Sequence, residues 1–210
     1  VLYNNAGLIY RDFELTEEGY ESMIAVNYFG SFRLALMLLE NLHRRSGRIV
    51  QVTSFSMYLA RTFNLNGLHS KDSFSPSSRY NFTNLLRSMF AIELENKLKK
   101  TSISVSAAHP GVTKSRQSRP YEVKKIKKSF YTYFSTNINT GIAPIIRAIE
   151  DENITADLVY APKLIGIYGE PALMRHNKLV YNQELRDKLW SYTANAVSYT
   201  HLRAHETARH

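Results

Sequence analysis

The sequence contains no cysteine. Disulfides, thiolate metal ligands and a cysteine nucleophile are therefore excluded, and a reducing, cytoplasmic setting is expected. Long hydrophobic runs are also missing. The strongest, Leu36-Met37-Leu38-Leu39, falls far below the ~18 residues that a membrane span requires. No membrane span is expected, and no signal peptide is visible. Acidic residues are scarce beside basic ones, 18 against 27, giving a net charge of +9. There is no internal repeat and no low-complexity tract. No metal site is expected, because the paired histidines His201 and His205 lie in a tail set aside below. What remains is ordinary: 210 residues with 44% hydrophobic content suit one soluble domain with a sizeable core.

Part of the excess charge sits in Lys124, Lys125, Lys127 and Lys128, just after Lys114, Arg116 and Arg119. Such a cluster attracts phosphates, nucleic acid or anionic lipid. The segment lacks the aromatic and glycine pattern of RNA-binding modules, a solvated helix face is the simpler reading, and no nucleic-acid partner is expected. Both ends are unusual. Val1-Leu2-Tyr3 reads as the interior of a buried strand, so the chain is expected to be a fragment. Residues 197–210 resemble the translation of a transposase-type sequencing adapter and are set apart as an artefactual tail, leaving 1–196 as the domain. That tail carries two arginines and one glutamate, so the basic character belongs to the domain.

Residues 1–5 read as a strand ending in a turn. Thr16 is a candidate N-cap, and Met23, Val26, Asn27, Gly30, Leu34, Met37 and Leu38 follow at helical spacing up to about residue 42. Gly30 would allow close helix packing. Residues 48–53 are β-branched and short, as buried strands are. Residues 56–78 form a polar connection long enough to suggest a functional loop. A second helical period runs through Leu85, Leu86, Met89, Phe90 and Leu94, followed by a strand at 103–108 that Pro110-Gly111 stops. Residues 121–150 look mostly helical with a break near 137–141, a short strand is expected at 164–168, and a last helix at about 183–194. Alternating strands and helices at these lengths predict an α/β fold with a parallel sheet.

Sparse polar residues mark the carboxyl ends of these strands. Asn27 lies on an apolar helical face; a structural amide that pins backbone groups is one reading and a site residue the other. Ser54 follows a strand and can donate to a substrate carbonyl, or simply cap a turn. Tyr80 follows the long loop. A phenol transfers protons to or from an alcohol or carbonyl, but its free pKa near 10 calls for a nearby positive charge. The natural device is a lysine one helical turn on.

Together these residues resemble the short-chain dehydrogenase/reductase family. Asn4-Asn5-Ala6-Gly7 looks like its strand-end motif, Val26-Asn27-Tyr28-Phe29-Gly30 like its helix asparagine motif, Val52-Thr53-Ser54 like its serine motif, and His109-Pro110-Gly111 like its cofactor-side turn. The loop from Ser54 to Tyr80 and Lys188-Leu189-Trp190 resemble the retinol-dehydrogenase-like branch. The resemblance implies a Rossmann-like doubly wound parallel sheet, here lacking the first βαβ units. It also implies NAD or NADP as cofactor, and hydride exchange with a small-molecule alcohol or carbonyl. Asn27, Ser54, Tyr80 and Asn84 fall at the catalytic positions. Asn5, Ala6, Gly7, Tyr80, Pro110, Gly111, Val112 and Thr113 fall on the cofactor side, and Lys114 to Tyr133 in the substrate lid. A homo-oligomer paired through the helices near Thr16 and Ser78 is a further implication.

Two departures accompany the resemblance. The family's glycine-rich phosphate loop, which also reads NAD against NADP, is not in the sequence. The motif that begins at Tyr80 ends in Asn84, where the family has lysine. Asn84 carries no charge; Arg87, seven residues from Tyr80, and Lys71 in the loop are the candidate substitutes. The alternative to an enzyme is therefore a non-catalytic relative that keeps the cleft as a binding or sensor module.

Overall fold

The computed structural model of the chain describes residues 1–113, 138–151 and 155–207. Strands β1 (Leu2–Asn4), β2 (Arg48–Val52), β3 (Ser104–Ala108) and β4 (Leu158–Leu164) lie side by side in chain order, all parallel. Strand β5 (Tyr168–Arg175) returns antiparallel to β4. Alternate residues of β2, β3 and β4 point to opposite faces, and each face has its own helical cover. Ile49, Val105 and Val159 pack with Tyr28, Phe32, Leu85, Met89 and Phe90. On the opposite face Val50, Ala108 and Tyr160 pack with Ile145 and Ala148. Helices α1 (Ser22–His43), α2 (Pro76–Leu98) and α4 (Gln183–Thr207) thus share one face, and α3 (Ile138–Glu150) occupies the other. Helices on both faces of a parallel sheet make the fold doubly wound, as the family resemblance implied.

Helix α1 begins later than expected. Thr16 caps only a turn, its hydroxyl accepting from the Tyr20 N–H at 3.3 Å. The helix is capped instead by Glu21, whose carboxylate accepts from the N–H groups of Met23 and Ile24, each at 3.1 Å. Glu21 is fully buried and faces Arg79 of α2 at 3.8 Å. Between Ala25 and Phe29 the helix is π-helical. The buried face is Ile24, Tyr28, Phe32 and Ala35, while Val26, Leu34 and Met37, expected inside, are 38%, 45% and 69% exposed. Gly30 is exposed and packs no neighbouring helix; its N–H bonds to the Ala25 carbonyl.

Ser22–His43 is also long and apolar enough to cross a membrane, with a mean hydropathy of 1.4 over its best window. This corrects the expectation that no apolar stretch approaches that length. Half of the window is buried inside the fold, as in the core helix of a sheet protein.

Three other boundaries differ. Within 164–168, expected as one strand, Leu164 ends β4, Tyr168 begins β5, and residues 165–167 are the turn between them. Ile165 and Gly166 both have positive φ, 55° and 68°, and the Ile167 N–H closes the turn on the Leu164 carbonyl at 3.0 Å. Two left-handed residues in succession are what a tight antiparallel hairpin requires. The break expected near 137–141 is absent from 138 onward, since Gly141 lies within α3. Its missing side chain serves packing: a Cβ there would overlap Thr113 Cγ2. Helix α4 continues to Thr207, past the boundary at 197, and Val197 packs against the core. The basic cluster at 114–128 and the lid at 114–133 lie outside the described residues.

Candidate active site

Parallel strands deliver their carboxyl ends to one rim of the sheet, and ligands bind there in doubly wound folds. In this chain that rim holds a cleft of about 330 Å³, at the small end of ligand pockets. Asn5, Gly7 and Ile9 come from the segment after β1, and Thr53 and Ser54 from the end of β2. Tyr80, Asn84 and Arg87 come from α2, and Pro110, Gly111, Val112 and Thr113 from the turn after β3. Of the twelve positions expected in the site, counting Tyr80 in both roles, only Asn27 and Ala6 do not line it.

Asn27 stands one layer behind. Its Oδ1 accepts from the Leu8 N–H at 2.8 Å, and its Nδ2 donates to the Leu8 carbonyl at 2.9 Å and to Thr83 Oγ1 at 3.2 Å. The amide spends three hydrogen bonds on the fold and buttresses the segment after β1. Ala6 lends its carbonyl to Arg87 Nη2 at 2.8 Å.

Ser54 does both things that its sequence position allowed. It follows β2 in extended conformation and caps the 3₁₀ turn Phe55–Leu59, its Oγ accepting from the Ser56 N–H at 3.2 Å. That bond uses a lone pair and leaves the hydroxyl proton to donate into the cleft. Tyr80 lies in the second turn of α2. Asn84 is buried, and its Nδ2 donates to the Tyr80 carbonyl at 2.9 Å. Lys71 is exposed and does not line the cleft.

Behind the turn after β3, His109 is fully buried, with Nδ1 accepting from the Gly111 N–H at 3.1 Å. Burial, reinforced by nearby His176, pushes its pKa down to about 3. Burial likewise pushes His176 down to about 4, against hydrogen bonds that favour its charged form. These two rings are therefore neutral structural parts, not proton carriers. Gly111 holds a left-handed φ of 73°, and a Cβ there would overlap the Ile167 carbonyl oxygen.

A family model described as short chain dehydrogenase matches residues 1–66, which hold the Asn4–Gly7 turn, Asn27 and Ser54. Human retinol dehydrogenase 14 is 30% identical over 169 residues, covering 80% of this chain and 48% of that protein. An uncharacterized oxidoreductase of Schizosaccharomyces pombe is 32% identical over 201 residues, covering 88% of this chain and 58% of that protein. The chain belongs to the short-chain dehydrogenase/reductase family, on its retinol-dehydrogenase-like side. It spans about half the length of the curated relatives it matches. A solved Mycobacterium paratuberculosis structure shares the fold at a TM-score of 0.74 and 23% identity, covering 94% of this chain and 66% of that one.

Sequence reasoning reached the rim residues through motifs at the strand ends, and Tyr80 and Asn84 through the motif on α2. It did not reach Ile9, Phe55, Ser56 and Leu59, which also line the cleft but carry no motif. Nor did it reach the buried Glu21–Arg79 pair, whose only hint was a glutamate just before the helix.

Proposed function

We propose that this chain carries the reacting part of an NAD(P)-dependent oxidoreductase that interconverts an alcohol and a carbonyl. The observation that carries the reading is that Ser54 and Tyr80 line one cleft with the Pro110–Thr113 turn, at the carboxyl ends of parallel strands. The residues present fit the nicotinamide end of the cofactor. Pro110, Gly111, Val112 and Thr113 would line that end, and Asn5 and Gly7 would lie on the adenine side, where a Cβ on Gly7 would meet Arg87 Nη1 at 3.0 Å. When bound, the nicotinamide gives a hydride to the carbonyl carbon or takes one from the alcohol carbon.

The chain's own groups manage the oxygen and its proton. Ser54 donates its hydroxyl proton to the substrate oxygen and holds it in the cleft. In reduction the Tyr80 phenol gives its proton to that oxygen as the carbon receives the hydride. In oxidation the Tyr80 phenolate removes the hydroxyl proton as the hydride leaves, so that charge and atoms balance in both directions. Ile9, Phe55 and Leu59 make part of the rim apolar and favour a substrate with a hydrophobic body.

The test is oxidation of NADH or NADPH by the protein against a carbonyl panel, followed at 340 nm. Ser54→Ala is expected to lower kcat by about 10²-fold, and Tyr80→Phe to abolish turnover. The neutral Asn84 favours a second reading, a binding module that holds the cofactor without chemistry. Cofactor binding with no turnover, unchanged by Tyr80→Phe, would select it.

A further inference from the structure

The loop between Ser54 and α2 packs back on that helix, with the rings of Phe63 and Phe82 6.0 Å apart. The two bound a second cavity of about 480 Å³, a size typical of ligand sites. Leu59 lines both this cavity and the reacting cleft, so the two are neighbours. Their linings differ. Arg61, Asn64 and Ser73 come from the loop, and Ser78, Arg79 and Asn81 from α2. Among the described residues, two arginines and no carboxylate line the cavity. Ser78 stands in the first turn of α2, where backbone N–H groups have no intrahelical acceptor and an anion is favoured. The N-cap residue, Ser75, makes no side-chain hydrogen bond to those groups.

Arg79 is the buried part of this lining, 5% exposed. A guanidinium carries five N–H donors and does not lose its charge in a protein. Here Nη1 is buried with no hydrogen-bond partner. Nε faces the Glu21 carboxylate at 3.8 Å, beyond hydrogen-bond reach. The Glu21 oxygens are spent on the N–H groups of Met23 and Ile24. Glu21 thus balances part of the charge without using the donors. Buried polar groups are normally bonded, because an unmade bond to a charged group costs about 1–3 kcal/mol or more. A ligand oxyanion supplies the missing acceptors.

We propose that this cavity is a second binding site, for a small molecule that carries a carboxylate or phosphate group on a polar body. Either group takes two parallel N–H bonds from a guanidinium. Arg79 supplies that fork, exposed Arg61 adds charge, and the amides of Asn64 and Asn81 and the hydroxyls of Ser73 and Ser78 meet the body. The site does not depend on the chemistry at Tyr80.

The test is an amide NMR titration of the whole chain with inorganic phosphate, glycerol 3-phosphate and lactate, following Gly67, Ser78 and Asn81. Saturable shifts at these amides are expected, with dissociation constants of about 1 mM. Whether the phosphates or lactate bind more tightly identifies the oxyanion the site prefers. Arg79→Lys keeps a charge opposite Glu21 but replaces the fork by a point charge, and is expected to weaken binding by about tenfold. Glu21→Gln removes the competing carboxylate and keeps an acceptor for the start of α1; it is expected to tighten binding by about threefold. Arg61→Gln is expected to weaken binding by about threefold, and its exposed position carries the test if Arg79→Lys does not fold. Absence of saturable shifts at these amides with all three probes overturns the proposal. So does binding that neither Arg61→Gln nor Glu21→Gln alters, because the anion then sits elsewhere.

Discussion

Mild acid is expected to destabilise this protein through two buried rings. His109 and His176 have folded pKa values of about 3 and about 4, against about 6.5 in an unfolded chain. Between those limits the unfolded state binds a proton at each position that the folded state refuses. Stability therefore rises with pH across the window and is lost as pH falls below 6.5. Each histidine contributes about 1.4 kcal/mol per pH unit once the unfolded ring is fully protonated. At pH 5.5 the pair together removes about 3 kcal/mol relative to neutrality, a large share of the ~5–15 kcal/mol stability of a typical domain. Urea unfolding at pH 7.5 and 5.5 measures the difference. His109→Asn keeps an acceptor close to the position of Nδ1 for the Gly111 N–H and is expected to halve the slope, whatever it does to stability at pH 7.5. Equal stability of the parent protein at both pH values would refute the reasoning. So would an undiminished slope in a variant lacking both rings.

Two further substitutions test the parts that shape the cleft. Gly111→Ala is expected to cost at least about 2 kcal/mol in urea unfolding, because it adds a left-handed strain to an overlap with the Ile167 carbonyl. It should also weaken NADH binding measured by fluorescence. Asn27→Ala removes three hydrogen bonds and leaves both backbone groups of Leu8 unsatisfied. A loss of about 2–4 kcal/mol is expected, with faster amide exchange at Leu8 as the local signature.

The sequence was most readable where burial alone decides the residue. Val105 and Ala107 are buried in β3, and Leu85, Leu86, Met89, Phe90 and Leu94 all face the core from α2; period and β-branching suffice there. It misled where the pattern leaves a choice open or one local event resets it. In α1 apolar residues lie on most sides of the helix, so a 3.6-residue period does not by itself choose the face of Tyr28 and Phe32 over that of Leu34 and Met37. The hairpin at 164–168 was hidden by Ile165, a β-branched residue in a conformation it rarely adopts. Gly141 read as a helix break because a glycine's packing role depends on a neighbour, Thr113, 28 positions away. At the site, strand ends were legible as motifs, whereas the setting of Arg87 depends on Asn4 and Ala6, more than 80 positions away.

Those distant contacts join the structural and the functional readings of Asn27. The segment after β1 is gripped at alternate residues. Arg87 takes the carbonyls of Asn4 and Ala6, and Asn27 takes both backbone groups of Leu8. Between the grips, Asn5 and Gly7 line the cleft. Thr83, which accepts from Asn27, donates in turn to the Tyr80 carbonyl at 2.9 Å, so the grip on Leu8 and the turn of α2 that bears the phenol are one network. The π-helical turn is where α1 presents Asn27 to that network. An amide that does not line the cleft thereby ties the backbone after β1 to the turn of α2 that bears the phenol. A kinetic defect in Asn27 variants should therefore scale with disorder at Leu8 rather than with any change in the chemistry at Tyr80.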